Sequence, residues 1–328
     1  MFGYVELEIK DKTGKNFYYH KRTIERQLEE IKRIIAEFPF LENYNEIEIQ
    51  QKQTSISTTR KRNLQQAYQY IMTHHNIQKE SLYELYRIIT NDLLDDYSKE
   101  NMSPFYRTQG VYIVDGNIDS TLGLLNISNM DKGLDASVLE ERMKDFLDFI
   151  NRDNSIDAFL LSQIIHFYFV YLHPYFDGNG RTARTLSAWY LLENHLEPYT
   201  IGIRGIEESQ REYRKSIQKS KKGNITPFLA YMIQETKKQL IKEIKLKEIE
   251  ETVLLTEEEK DIIRMLWIYK AETIEDIKRI IGQQKKIYKE TEIIDNYISL
   301  LEKGVLSIKE DKTIEWMNSS KGKQKRKE

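Results

Sequence analysis

Cysteine is absent from the chain. That excludes a disulfide framework, a thiolate metal site and a thiol nucleophile, and leaves His, carboxylate, hydroxyl and Arg groups to carry any chemistry. An excess of one charge is lacking too. Lys and Arg number 50 against 52 Asp and Glu, a formal net charge of −2, so the molecule as a whole makes no electrostatic appeal to nucleic acid. The opening residues, MFGYVELEIKDK, lack the basic and then apolar pattern of a secretory signal. The longest run free of Asp, Glu, Lys and Arg, Ala158 to Phe176, approaches bilayer-spanning length. It contains Ser162, Gln163, His166, His173 and Pro174, and so reads as a buried core helix. The expectation is a cytoplasmic protein with no membrane partner.

What is present suits a mainly α-helical chain of several domains. Residues 4 to 20 alternate apolar and polar positions around DKTGK, a β-hairpin pattern, and Ile24, Leu28, Ile31 and Ile35 then keep helical spacing up to Pro39. Arg60 to Met72, Leu82 to Leu94 and Val138 to Ile150 are also helical in pattern, as are 157–172 and 181–194. Among these helices FYRTQGVYIVDGNI changes period, predicting a small strand or hairpin that turns at Asp115 and Gly116. From Gln234 to Glu251 the chain is charged and helical, with Glu243 and Lys247 spaced as an i,i+4 pair. Three helices around 262–267, 274–281 and 293–301 and the hairpin KGVLSIKEDKTIEW predict a winged helix-turn-helix. The expected domains are 1–80, a hairpin with a helical extension; 81–234, a central domain; 235–253, a connector; 254–318, the winged helix; and 319–328, a basic tail.

The densest chemistry lies in HPYFDGNGRTAR, His173 to Arg184. Pro174 has no amide hydrogen and disfavours helical geometry before it, so the apolar helix should end at His173, placing an imidazole at the mouth of a loop as a candidate general base. Gly178, Asn179 and Gly180 permit left-handed backbone and lead into a helix at Arg181, which makes a concave anion site suited to phosphate. Arg181 and Arg184, three apart, share a helix face and suit bidentate contact with phosphate oxygens. Asp177 would repel such a ligand unless a hard cation bridges them, which predicts Mg²⁺ with a nucleotide. Together the parts describe phosphoryl or nucleotidyl transfer, and the Walker and protein-kinase signatures are absent.

The stretch resembles the Fic family signature HPFx(D/E)GNGRxxR, with Tyr175 in place of Phe. The likeness extends over about Leu82 to Gln234, through the preceding helix, the strand YRTQGVYI and the downstream REYRKSIQKSKKGNITPF. The resemblance implies a protein adenylyltransferase that moves AMP from ATP to a Ser, Thr or Tyr hydroxyl. It implies His173, Asn179 and Arg181 as catalytic, Asp177 holding Mg²⁺, and Gly178, Asn179, Gly180, Arg181, Thr182 and Arg184 around the phosphates. It further implies a flap, 106–114, whose Val111, Tyr112, Ile113 and Val114 cover the nucleotide and pair with the target, and an adenine-contacting Tyr213. Where the family often has an Asn, this chain has Lys221.

The family's inhibitory pattern (S/T)xxxE(G/N) is nowhere satisfied: Glu42, Glu100 and Glu193 precede Asn or Gly, but Phe38, Asp96 and Trp189 stand four earlier. The segment QTSISTTRKR offers Ser55, Ser57, Thr58 and Thr59 instead, read as helix-capping hydroxyls or as nucleotide contacts. Arg184 is therefore expected to lack an intrachain Glu partner of that kind. His166 reads as core, and His74 and His75 diverge on a helix. Lys285, Lys286 and Lys289 suit DNA phosphates, but Glu290 and Glu292 stand beside them, so the winged helix could equally contact protein. Two alternatives stay open: transfer of another nucleotide or phosphate-containing group, and a DNA- or protein-binding regulator in which the winged helix matters most.

Overall fold

The computed structural model describes residues 3–52, 58–114, 130–152, 155–268, 271–284 and 290–317, and the chain is mainly α-helical. It divides into two compact units, Met1–Lys52 with Thr59–Thr236, and Gln53–Thr58 with Lys237–Glu328.

The first unit opens with strands β1 (Val5–Lys10) and β2 (Asn16–Tyr19), paired antiparallel. Alternation buries Leu7, Ile9, Phe17 and Tyr19 on one face, and Asp11 ties the turn by accepting from the amides of Thr13 and Lys15. Helices α1 (Lys21–Glu37), α2 (Glu46–Lys52), α3 (Thr59–Thr73), α4 (Lys79–Thr90) and α5 (Asp96–Glu100) follow. Helix α4 ends four residues short of the expected Leu94, because the backbone turns left-handed at Asp92 (φ 57°). Two small hairpins come next, β3 (Met102–Ser103) with β4 (Tyr106–Arg107), and β5 (Tyr112–Val114) with β6 (Met130–Lys132). The expected turn at Asp115 and Gly116 lies outside the described residues, as do Ser55, Ser57, Lys285, Lys286, Lys289 and the tail 319–328.

Helices α6 (Leu139–Asn151), α7 (Ala158–Leu172) and α8 (Asn179–Glu193) form the centre of this unit, with α9 (Gly202–Glu208) and α10 (Gln210–Ser220) after them; α11 (Thr226–Glu250) begins in this unit and ends in the second. Every residue of α7 except Ala158 and Val170 is buried, which accounts for its nearly continuous apolar sequence. The N-terminal hairpin covers part of it. Phe17 packs edge-on against Phe167, Tyr168 and Tyr171, the amide of Lys12 donates to the Tyr171 hydroxyl (2.7 Å), and Tyr168 donates to the Lys10 carbonyl (3.0 Å). A buried cluster fixes the start of α2: Arg204 pairs with Glu46 and donates to the Tyr44 hydroxyl, while the Glu46 amide donates to Thr200 Oγ1 (3.0 Å).

The second unit contains α12 (Glu257–Ile268), α13 (Ile274–Gln284) and α14 (Glu290–Glu302), then β7 (Leu306–Ile308) paired antiparallel with β8 (Ile314–Trp316). Ile262, Leu266, Ile280, Ile293, Leu300 and Val305 belong to its own core. Gly304 (φ 69°) closes α14, and the Glu243 carboxylate accepts from Arg264 (3.3 Å). Among the described residues, no helix is long and apolar enough to cross a membrane.

Candidate active site

The site is built on the sharp reversal between α7 and α8. Asp157 caps α7 by accepting from the amides of Phe159 and Leu160, and Pro174 stops the helix, as anticipated. His173 takes the left-handed C-cap conformation (φ 52°, ψ 59°), unusual for a residue with a Cβ, and its amide still donates to the Phe169 carbonyl (3.0 Å). Its Nδ1 faces the Val170 carbonyl at 3.3 Å. A carbonyl only accepts, so Nδ1 carries the hydrogen and the Nε2 lone pair is the basic one. Burial pushes the imidazole down to about 4; Arg107 and Lys221 lower it further by charge, while the Val170 hydrogen bond and Asp177 oppose them. At neutral pH the ring is uncharged and able to take a proton.

The loop after it is held by one side chain. Asn179 Oδ1 accepts from the Tyr175 amide (3.0 Å) and Nδ2 donates to the Tyr175 carbonyl (2.8 Å). The Tyr175 ring is buried flat against Tyr86, with centroids 3.6 Å apart and planes at 13°. Gly178 is left-handed (φ 81°), and a Cβ there would stand 2.6 Å from Thr90 Cγ2. Both features require glycine. Helix α8 begins at Asn179, two residues before the expected Arg181, because Gly178 serves as its N-cap. The amides that a helix leaves unpaired at its start are therefore those of Asn179, Gly180 and Arg181, while the Asn179 side chain serves the loop.

The charged groups divide between structure and mouth. Asp177 Oδ1 accepts from the Gly178 amide (2.6 Å) and Oδ2 meets Arg181 Nη2 (3.2 Å), yet the carboxylate remains 58% exposed. Arg181 also donates to the Ile89 carbonyl (3.1 Å), and burial lowers its pKa. Arg184 lies close to Gly180, where an added Cβ would be 3.5 Å from its Nη1. Its charge acts on His166 and Tyr213, and among the described residues it makes no hydrogen bond or ion pair. Thr182 is wholly buried, its hydroxyl without a partner among the described residues. Tyr213, pushed up to about 12 by burial, stays protonated and bonds His166 Nε2 at 2.8 Å. His166 is fully buried and pushed down to about 3 by burial first and Arg184 second, in keeping with the core role read from the sequence.

In the flap, Val111 is half-buried, Tyr112 is 64% exposed, and the backbones of Ile113 and Val114 pair with Asp131 and Met130. Two cations near the motif escaped the sequence: Arg107, whose charge reaches His173, and Arg60 on α3, which acts on Arg181; Lys221, at the end of α10, also acts on His173. Arg60 belongs to the basic run RKR, the one local signal that pointed to it.

The family model described as the Fic/DOC family matches residues 68–191. Protein adenylyltransferase fic-1 of Caenorhabditis elegans is 32% identical over 94 residues, 28% of this chain and 18% of that protein. Protein adenylyltransferase Fic of Nematostella vectensis is 29% identical over 104 residues, 31% of this chain and 23% of that protein. The alignments span about a fifth of the length of these curated relatives. A crystal structure of a Fic family protein from Desulfovibrio desulfuricans G20 superposes with a TM-score of 0.48 at 17% identity, over 90% of this chain and 84% of that one. The match spans the α7–α8 reversal and contains the whole of the motif His173 to Arg184, so this part of the chain is similar to the Fic/DOC family.

Proposed function

We propose that this protein is a Mg²⁺-dependent protein adenylyltransferase, transferring AMP from ATP to a Ser, Thr or Tyr hydroxyl of a target protein. The observation that carries the reading is the α7–α8 reversal. It puts a neutral His173 at one end of a short loop and the unpaired amides of α8 at the other, with Arg184, which has no acidic partner among the described residues, further along α8. The adenylyltransferase names of the relatives that share this region support it.

In the reaction, His173 Nε2 takes the proton of the target hydroxyl as its oxygen bonds to the α-phosphorus. The bond from that phosphorus to the bridging oxygen breaks and pyrophosphate leaves. The amides of Asn179, Gly180 and Arg181, with Arg184, would stabilise charge on the phosphate oxygens. An exposed single carboxylate suits a cation that uses one or two protein ligands and completes its shell with phosphates and water, so Asp177 would hold Mg²⁺. Bound there, Mg²⁺ would supply charge neutralisation for the phosphates. The exposed Tyr112 edge of the flap would receive the target as an added strand, while Tyr213 and Thr182, both buried, would back the nucleotide site from behind. A cytoplasmic setting belongs to the same proposal.

Incubation with ATP labelled at the α-phosphate tests it: His173→Ala should abolish labelling and keep the fold and ATP binding. Labelling that survives this substitution would overturn the mechanism, and labelling only from the γ-phosphate would point to phosphoryl transfer.

One observation favours a further role for the second unit. The isolated Thr273–Thr313 bridge and the bond from the Ile314 amide to the Glu272 carbonyl (2.7 Å) tie the residues before α13 to the two-stranded β7–β8 hairpin, a contact that would suit a winged helix. We read that unit as a winged helix contacting DNA or protein.

A further inference from the structure

Arg107 is 2% exposed, and among the described residues its guanidinium bonds no carboxylate. Its donors go to three backbone carbonyls from three segments: Nε to His173 (2.9 Å), Nη1 to Gln109 (2.6 Å) and Nη2 to Leu134 (2.6 Å). Its own amide donates to the Pro174 carbonyl (3.0 Å). The Asp135 carboxylate offsets part of this buried charge without bonding it, and the backbone carbonyls supply the hydrogen bonds that burial otherwise takes away. The segments it joins are informative. His173 and Pro174 begin the catalytic loop, Gln109 leads into β5, and Leu134 follows β6.

The base of the flap is assembled around this side chain. The Gly133 amide donates to the Val111 carbonyl (2.8 Å), and a Cβ on Gly133 would stand 2.6 Å from Val111 Cγ2 and 3.3 Å from Arg107 Nη2. Side chains do not fill the space beside the base. A cleft of about 550 Å³, lined by Thr108, Gly110, Leu134, Asp135 and Glu140 among others, opens there. The polar ties of Arg107 therefore carry the connection.

We infer that Arg107 is a positioning residue that couples the flap to the candidate base: its guanidinium makes the two ends of the flap and the backbone of His173 one mechanical unit, so that a target seated on the flap is registered against the imidazole. The inference rests on the proposed transfer for its catalytic consequence alone.

The test uses the full chain with Arg107→Lys, which keeps the charge and loses the planar fork. Amide hydrogen exchange should quicken together at 111–114 and at 173–176, except at the proline. Because small misplacements of reacting groups are expensive, kcat for AMP transfer should fall by about a hundredfold while the KM for ATP stays within about twofold. Gly133→Ala, which displaces the flap base and leaves Arg107 in place, should reproduce the joint change in exchange, and it decides the matter if the lysine variant fails to fold. Faster exchange in the flap alone, with residues 173–176 unchanged, overturns the coupling. A wild-type protein that binds ATP and transfers no AMP would overturn the proposed function and leave the exchange result to judge Arg107.

Discussion

Asn179 and Tyr175 are joined by two hydrogen bonds, amide to Oδ1 and Nδ2 to carbonyl, so one side chain satisfies both backbone groups of a buried residue. Asn179→Ala would leave both unpaired. It should destabilise the first unit by about 2 kcal/mol and depress AMP transfer, since the loop carries His173 at one end and the α8 amides at the other. Urea titration and labelling on the same sample check both effects.

Gly178 meets two demands at once, a left-handed backbone and the contact with Thr90. Gly178→Ala should cost about 1–2 kcal/mol from the backbone alone, with the clash added. Thr90→Ser removes the methyl group that the new Cβ would strike, so the double variant should recover part of the loss. A double-mutant cycle measures that recovery, and strict additivity would refute the contact.

The Tyr175 hydroxyl is buried without a partner among the described residues, and Tyr86 occupies one face of its ring. Tyr175→Phe removes an unsatisfied polar atom and keeps the stack. It should stabilise the protein by about 1 kcal/mol, visible as a raised denaturation midpoint with transfer intact.

His166 and His173 are held neutral, at about 3 and about 4, against an ordinary value near 6.5. Between about pH 4 and 6.5 the unfolded chain therefore binds more protons than the folded one, so stability rises with pH across that window and is lost on acidification through it. Denaturation at pH 5 and pH 7.5 should show the loss, and His166→Gln should lessen it. The acid limb of the transfer rate for the free protein should fall well below 6.5.

Much of this site was legible because its parts are local. Pro174 announces the end of α7, and the glycines and arginines of the motif follow within a turn of helix. The parts the sequence hides are side-chain contacts: the Tyr213–His166 bond spans 47 positions, and nothing in the motif shows that the Asn179 side chain bonds the Tyr175 backbone. Arg107 binds backbone carbonyls, which every residue possesses, so no side-chain pattern could signal its role. Strand β6 has three residues, too few for period-two alternation to stand out. In the second unit the three helices and the hairpin were plain, since each buries its own apolar face. Glu243 was expected beside Lys247, and the fold supplies Arg264 as a tertiary partner.

The N-terminal hairpin closes over Phe167, Tyr168 and Tyr171, the last of these two residues before the imidazole. A chain shortened to begin at Lys21 would bare an aromatic surface at the foot of the His173 loop and invite aggregation. For anyone expressing this protein, the first twenty residues are wall rather than handle: a trimmed version would be expected to fail through insolubility before its chemistry could be assayed.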